Sequence, residues 1–150
     1  MSKVKQIWAR EILDSRGIPT VETACLLEDG QVGVSSVPAG TSTGTHEALE
    51  LRDATNPRYL GQGVAQAVEN VNKVLGPAIV GMDPTDQAGI DKKLIDLDGT
   101  ENKSKYGANA ILSVSEVIAK CGAAAAGQPL YGWIYSLASK VGVTQKVKMP

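Results

Sequence analysis

The sequence is poor in the side chains that most often carry catalysis and metal binding. Among its 150 residues there is one histidine, His46, and there are two cysteines, Cys25 and Cys121. Catalytic triads and histidine metal sites would all depend on His46, and the cysteines form no CxxC pair or Cys/His cluster typical of zinc. Both cysteines fall in apolar runs, so we interpret them as small buried hydrophobic residues in a reducing compartment.

The chain also lacks an excess of charge and a long apolar segment near its N-terminus. Its formal net charge is −1 at pH 7, which gives no electrostatic reason to expect nucleic acid or an anionic membrane as a partner. The first residues, MSKVKQIWAREIL, are too polar for a signal peptide or a membrane span. We therefore expect a cytoplasmic protein without a membrane span.

The first third of the sequence alternates polar and apolar residues in the manner of β-strands. A run over residues 4–12 ends at the turn sequence DSRG, and two further runs cover residues 20–27 and 31–37. The Asp-Gly dipeptide at residues 29–30 suits a tight hairpin. The pattern predicts three antiparallel strands joined by short turns.

Beyond residue 44 the hydrophobic pattern changes to the period of α-helices. The first predicted helix covers residues 64–75 and stops at Gly76-Pro77, unless residues 78–80 add one more turn. The others cover residues 84–98 with Asp83 as the N-cap, residues 109–126, and an amphipathic stretch after Pro129. Taken together, residues 1–150 are interpreted as one domain. The predicted fold class is α+β, a three-stranded antiparallel meander followed by about four helices.

One unusual loop, Gly40-Thr41-Ser42-Thr43-Gly44, separates the strands from the helices. It is not a Walker P-loop, because three residues lie between its glycines where four are needed and no lysine follows. Backbone N–H groups and hydroxyls can still cradle an oxyanion. A phosphate cradle, a moving lid and a flexible connector all remain open, and pattern alone favours the connector.

Two further groups of polar residues carry weaker hypotheses. His46, Glu47 and Glu50 lie in a charged, helix-forming run, where His46 and Glu50 would share one helical face, but two ligands do not complete a metal site. Asp96, Asp98 and Glu101 lack the spacing of an EF-hand loop. We interpret the first group as a solvated helical turn and the second as a polar loop between helices.

Several motifs, taken in order, identify the sequence as similar to a known family. The segments DSRGIPTVE, VPAGTSTG and EALELRD, starting at Asp14, Val37 and Glu47, resemble DSRGNPTVE, VPSGASTG and EALELRD of the enolases. LDGTENKS, GANAIL and PLY follow, in family order and spacing. The resemblance extends over nearly the whole chain and is to the N-terminal domain of enolase.

The resemblance implies a function that residue patterns alone do not give. Enolase is the glycolytic lyase that interconverts 2-phosphoglycerate and phosphoenolpyruvate with the help of magnesium ions. In the family, the lysine base, the acid/base glutamates and the carboxylates of the first metal belong to a C-terminal barrel. We expect that barrel to be absent from these residues and to be this domain's partner. No catalytic residue is then expected in this chain, and the chain alone should be inactive.

The resemblance assigns the loop from Ala39 to Gly44 to the active site, where it closes over the barrel when substrate binds. The loop positions are Ala39, Gly40, Thr41, Ser42, Thr43 and Gly44. In the family, the first of these is a serine whose hydroxyl and carbonyl oxygens help to hold a second magnesium ion. Because Ala39 has no hydroxyl, only its backbone carbonyl is left as a metal ligand.

The resemblance also implies a homo-oligomer. Arg10 and Glu22 match family positions that make ion pairs with the barrel of a partner subunit. The alternative interpretation is an exposed ion pair that contributes little to stability. Departures from the family pattern at Ala39, Ile18, Ser113 and Glu116 suggest divergence. They support an alternative hypothesis, a stand-alone non-catalytic paralogue that acts as a binding module. A phosphate-binding module is a third and weaker hypothesis.

Overall fold

The computed structural model describes residues 2–40 and 44–143, and within them the predicted strands form one sheet. Strand β1 covers Val4–Leu13, β2 covers Pro19–Leu27 and β3 covers Val32–Ser36. The strands pair antiparallel in the order β1-β2-β3, so the predicted meander is confirmed. Gly30, with a φ of 90°, occupies the left-handed position that the turn between β2 and β3 requires.

In the described residues a short 3-10 turn, Arg58–Gly61, and then four helices follow the sheet, and the predicted α+β fold class is confirmed. Helix α1 covers residues 65–79 as three consecutive stretches, Ala65–Asn70, the π-helical Val71–Leu75 and Gly76–Ile79. Helix α2 covers Gln87–Asp98, α3 covers Ala108–Ala125 and α4 covers Leu130–Lys140. The ends of α3 and α4 agree with the sequence pattern to within about two residues, the usual uncertainty of helix ends.

The predicted stop at Gly76-Pro77 is wrong, because α1 continues through it to Ile79, which agrees with the alternative of one more turn. The π-helical turn widens the helix, and the Gly76 amide bonds to the carbonyl of Val71, five residues earlier. Pro77 then lies in the first turn of a new α-helical stretch, where its ring and its missing N–H are tolerated. Gly76 also lets α1 approach the sheet, since a Cβ there would lie 3.2 Å from the Cβ of Ile7.

The predicted N-cap of α2 is also wrong, by three residues. Asp83 accepts a hydrogen bond from the Thr85 amide at 2.8 Å and so closes a preceding turn. The N-cap is Asp86, whose Oδ1 accepts from the Gly89 amide at 3.1 Å. Because aspartate is a favoured cap at either position, the sequence does not separate the two.

The core lies between one face of the sheet and the helices. Its fully buried members include Val21 and Cys25 of β2 and Val114, Val117, Ile118 and Cys121 of α3. Both cysteines are free and buried, which confirms their interpretation as buried hydrophobic residues. Gly33 of β3 makes room for this packing, because a Cβ there would lie 2.7 Å from the sulfur of Cys121.

Helix α3 is the central helix of this core. Among the described residues it is the one helix long and apolar enough to cross a membrane, by length and composition alone. However, 61% of it is buried inside the protein. Its apolar composition is therefore explained by its packing against β2 and β3.

Candidate functional site

The glycine-bounded loop begins where the chain leaves the sheet. Val37 is fixed to β2, because its amide donates to the Val21 carbonyl at 3.0 Å and its carbonyl accepts from the hydroxyl of Thr20. Of the predicted loop positions, Ala39, Gly40 and Gly44 are described, whereas Thr41, Ser42 and Thr43 lie outside the described residues. The described positions are those that join the loop to the body of the domain.

The start of the loop is bonded to two charged side chains. The carbonyl of Ala39 accepts a hydrogen bond from Nη2 of Arg16 at 2.9 Å. The amide of Gly40 donates to Oε2 of Glu50 at 3.2 Å. A Cβ on residue 40 would lie 3.2 Å from the same carboxylate oxygen, so glycine provides the space that Glu50 occupies.

The end of the loop is bonded to a second glutamate. Oε2 of Glu47 accepts from the Gly44 amide at 2.7 Å, and the Glu47 amide bonds to the Gly44 carbonyl at 3.1 Å. His46 is exposed. The predicted helical face shared by His46 and Glu50 is wrong, because residues 47–53 contain no helix.

Residues 47–53 form no helix because their backbone groups bond to other parts of the chain. The Leu49 amide donates to the Asn102 carbonyl at 2.8 Å, and the Leu49 carbonyl accepts from the Ala108 amide at 2.7 Å. The side chain of Asn109 accepts from the Leu51 amide at 3.1 Å and donates to the Leu51 carbonyl at 3.0 Å. These tertiary bonds override the helix propensity of the sequence EALELR.

Sequence reasoning missed Glu47 and Glu50 as residues that bind the loop. It placed both on a solvated helical turn and assigned them no partner in the loop. The requirement that backbone N–H groups find hydrogen-bond acceptors could have identified them. The Gly40 and Gly44 amides need acceptors, and Glu47 and Glu50 supply the nearest carboxylates in the sequence.

A pocket of about 450 Å³ lies between the loop and the helices. Its loop side is formed by Val37, Pro38, Gly40, Glu47, Ala48 and Glu50. Its helix side includes Ile95 of α2 and Leu112 of α3, both of which are partly exposed to solvent. The glutamates that bind the loop therefore also form part of the wall of an open and largely apolar pocket.

The acidic residues near the end of α2 have separate structural roles. Asp96 pairs with Lys92 on the helix surface at 2.7 Å. Asp98 is 2% exposed and accepts hydrogen bonds from the amides of Thr100, at 3.1 Å, and Tyr106, at 2.8 Å. Burial alone raises the pKa of Asp98, but these hydrogen bonds outweigh burial and hold its pKa below the usual range. The interpretation as a polar loop between helices is therefore wrong for Asp98, which is the last residue of α2 and a buried structural residue.

The sheet face that points away from the helices carries the two residues expected at a subunit contact. Arg10 and Glu22 are directly paired across β1 and β2, with Nε of Arg10 2.6 Å from Oε1 of Glu22. Trp8 and Val34 lie on the same face and are 39% and 45% exposed. In this structure the two charges bond to each other, and their role between subunits stays a prediction.

Three residues that depart from the family pattern, Ile18, Ser113 and Glu116, each form a hydrogen bond within the domain. Ile18 uses its amide, which donates to Oδ1 of Asp14 at 2.9 Å, to form its turn. Ser113 is buried and accepts from the hydroxyl of Thr23 at 2.7 Å. Glu116 accepts from the hydroxyl of Ser35 at the same distance.

The fold and the site together define an α+β domain in which a meander and four helices present a glycine-bounded loop beside a pocket. A family model described as the enolase N-terminal domain matches residues 4–134 of this chain. The chain therefore belongs to the enolase family and carries its N-terminal domain. The resemblance inferred from the motifs is confirmed.

Enolases are in general magnesium-dependent, and magnesium requires several oxygen ligands close together. The described residues contain no group of three or more histidine, cysteine, aspartate or glutamate residues placed to hold a metal. The Ala39 carbonyl, the one predicted ligand, already accepts a hydrogen bond from the positively charged Arg16. Magnesium needs about six oxygen ligands in octahedral geometry. In this arrangement the described residues do not fit the ion.

Proposed function

We propose that residues 1–150 act as the lid-and-dimerisation domain of an enolase that interconverts 2-phosphoglycerate and phosphoenolpyruvate. The groups that move protons and hold the first metal belong, on this proposal, to a C-terminal barrel outside these residues. The chain supplies the loop from Ala39 to Gly44 and the subunit contacts of Arg10 and Glu22. By itself the chain has no turnover.

The observation that carries this proposal is the family match over residues 4–134, which includes the whole loop and both of its flanking segments. The geometry supports it, because Gly40 and Gly44 are each bonded to a glutamate while the pocket beside them is open to solvent. Gly40 and Gly44 are attached to the domain by solvent-exposed hydrogen bonds, and such bonds can break at low energetic cost when the loop changes position.

The chain's part in the reaction is to cover the site. Closing a loop over bound substrate removes water, which strengthens the electrostatic interactions between the substrate and the groups of the barrel. Gly40 and Gly44 provide the backbone freedom that such movement needs. A magnesium ion held by the barrel of the complete enzyme would supply stabilisation of negative charge on the substrate.

The proposal includes a homo-oligomer in the cytoplasm. Arg10 is 72% exposed through its side chain and can exchange its bond with Glu22 for a carboxylate of a second subunit. Trp8 and Val34 beside it add apolar area of the kind found at the centre of subunit contacts.

A chimera tests the proposed function. This chain replaces the N-terminal domain of an enolase of known activity, and phosphoenolpyruvate formation is measured against magnesium concentration. We expect turnover that is weaker than in the parent enzyme, because Ala39 lacks a hydroxyl. The variant Ala39→Ser should lower the magnesium concentration needed for half-maximal rate, whereas Ala54→Ser, on an exposed turn, should leave it unchanged.

Failure of the chimera would favour the second candidate, a stand-alone non-catalytic paralogue that binds other proteins. The observation in its favour is Ala39, which removes a side chain that metal binding in the family uses. A chimera that folds and forms dimers but shows no turnover, with or without Ala39→Ser, contradicts the enolase proposal.

A further inference from the structure

One peptide group of the loop is bonded at both of its polar ends to side chains of opposite charge. The Ala39 carbonyl and the Gly40 amide belong to the same planar unit. The carbonyl accepts from Arg16 at 2.9 Å, and the amide donates to Glu50 at 3.2 Å. The positive side chain meets the negative end of the peptide dipole and the negative side chain meets the positive end, so both bonds favour the same orientation.

Arg16 is itself held in place by the turn between β1 and β2. Its Nε and Nη2 both donate to Oδ2 of Asp14, at 3.1 and 2.8 Å. The other oxygen of Asp14 accepts from the amides of Arg16, at 2.8 Å, and Ile18, at 2.9 Å. The turn fixes the Asp14 carboxylate, and the carboxylate in turn holds the Arg16 guanidinium where it can donate to the Ala39 carbonyl.

Glu50 is held on the opposite side by a second arginine. Nη2 of Arg52 donates to Oε1 of Glu50 at 2.5 Å, and Nη1 of Arg52 donates to the carbonyls of Pro19, at 2.6 Å, and Gln62, at 2.7 Å. The side chains of Arg52 and Glu50 are only 14% and 28% exposed. This pair is therefore better shielded from solvent than the surface ion pairs of the domain.

We propose that Arg16 and Glu50 are positioning residues that clamp the Ala39–Gly40 peptide and keep its carbonyl directed at Arg16. The hydrogen bonds of the clamp do not depend on the proposed function, but the effect of the clamp on metal binding rests on it. If the loop serves an enolase, the Ala39 carbonyl is free for a cation only after Arg16 has released it. Two positive charges within a few ångströms of one carbonyl oxygen repel each other. The clamp therefore opposes use of that oxygen by a metal.

Amide hydrogen exchange of the 150-residue chain, followed by NMR, tests the clamp directly. In Arg16→Gln we expect exchange at the Gly40 amide to be faster by a factor of about 3 to 10, the effect of losing one charge-assisted hydrogen bond on a partly exposed group. Glu50→Gln should accelerate the same amide. The carbonyl carbon signal of Ala39 should shift in Arg16→Gln, because its hydrogen-bond donor is gone.

Two controls separate a local clamp from a loss of stability. Lys92→Gln removes a positive charge from the surface of α2 and should leave the Gly40 amide unchanged. Exchange at Ile118 in the core should be unchanged in every variant. Arg16→Lys keeps the positive charge but cannot donate two parallel hydrogen bonds to Asp14. Its Gly40 amide should therefore be better protected from exchange than in Arg16→Gln, but less well than in the wild type.

The outcomes distinguish the clamp from the proposed function. Unchanged Gly40 exchange and an unchanged Ala39 carbonyl signal in Arg16→Gln overturn the clamp, whatever the chimera does. Faster exchange at Gly40 supports the clamp even if the chimera shows no turnover, a result that rejects the proposed function alone. If the chimera is active, Arg16→Gln should also lower its magnesium requirement, and an increased requirement would contradict the clamp's opposition to metal binding.

Discussion

At the scale of single residues, Asp98 holds together the turn that leads from α2 to α3. Its carboxylate accepts from the amides of Thr100 and Tyr106, and the hydroxyl of Thr100 also donates to it. Ser104 adds to the same turn by donating its amide to the Thr100 hydroxyl at 2.8 Å. A buried carboxylate that satisfies several donors is more sensitive to replacement than an exposed one.

We predict that Asp98→Asn lowers the free energy of unfolding by about 1–3 kcal/mol at neutral pH, because its NH₂ group cannot accept from the amides that the second oxygen of Asp98 now satisfies. The folded-state pKa of Asp98 is lowered below its ordinary value of about 3.9. The stabilisation by Asp98 is therefore complete above about pH 3.9 and is lost as the pH falls through the lower folded-state value.

Urea unfolding at a series of pH values measures this effect. The difference between wild type and Asp98→Asn should narrow as the pH falls below about 3.9. Asp96→Asn is the matched control, since its surface pair with Lys92 is worth at most about 1 kcal/mol. A difference that stays constant or widens towards low pH would show that the charge of Asp98 does not supply the stabilisation.

At the scale of elements, the non-helical segment 47–53 depends on the first turn of α3. The Asn109 side chain is 3% exposed and bonds to both the amide and the carbonyl of Leu51, as a neighbouring strand would. Since Leu49 and Leu51 flank Glu50, this attachment also sets where the carboxylate that binds Gly40 lies.

We predict that Asn109→Ala destabilises the domain by about 2–4 kcal/mol, because it leaves both polar groups of Leu51 without a partner in a partly buried position. Asn109→Asp should cost less, because aspartate keeps an acceptor for the Leu51 amide. Thermal unfolding compares the variants, and protection of the Gly40 amide should fall in both. Equal stability of wild type and Asn109→Ala would contradict the proposed attachment.

The helices and strands with a regular pattern could be predicted from the sequence, whereas the attachment of the loop could not. The alternation in β2 and the apolar stripe from Val64 to Leu75 each indicate one buried face. Such a face can be predicted from the local sequence without knowing which element packs against it. The segment at Glu47–Asp53 carries a helical pattern, but its conformation depends on Asn102 and Asn109, more than 50 residues away. Local propensity contains no information about such bonds.

Part of the candidate site could likewise be predicted from the sequence, and part could not. The motifs located the loop from Ala39 to Gly44 and assigned the family, which the match over residues 4–134 confirms. They did not reveal that Arg16, in a turn 23 residues earlier, bonds to the Ala39 carbonyl. That contact requires β1 and β2 to bring the turn beside the end of β3, which is a property of the sheet as a whole.

At the scale of the whole molecule, the domain exposes apolar side chains that a larger assembly could cover. Helix α4 presents Tyr131 and Ile134, which are 68% and 48% exposed, and Val141, directly after the helix, is 82% exposed. Only Trp133 of this helix is fully buried. The sheet face adds Trp8 and Val34. Exposed apolar surface of this kind is typical of protein contacts.

We predict that the chain associates with itself at high concentration, because these surfaces lack the partners that the proposed enolase would supply. Ile134→Lys should shift association to a concentration several-fold higher, while Val80→Lys, at an isolated exposed valine, should not. Sedimentation velocity over a range of concentrations measures the difference. A chain that stays monomeric up to millimolar concentration would contradict this prediction.

The most direct test of the central claim is phosphoenolpyruvate formation by the pure 150-residue chain, supplied with 2-phosphoglycerate and excess magnesium. We expect no turnover above the uncatalysed rate for the chain alone, and turnover once the same chain is joined to an enolase barrel. Sustained phosphoenolpyruvate formation by the chain alone would contradict the assignment of the reacting groups to another domain.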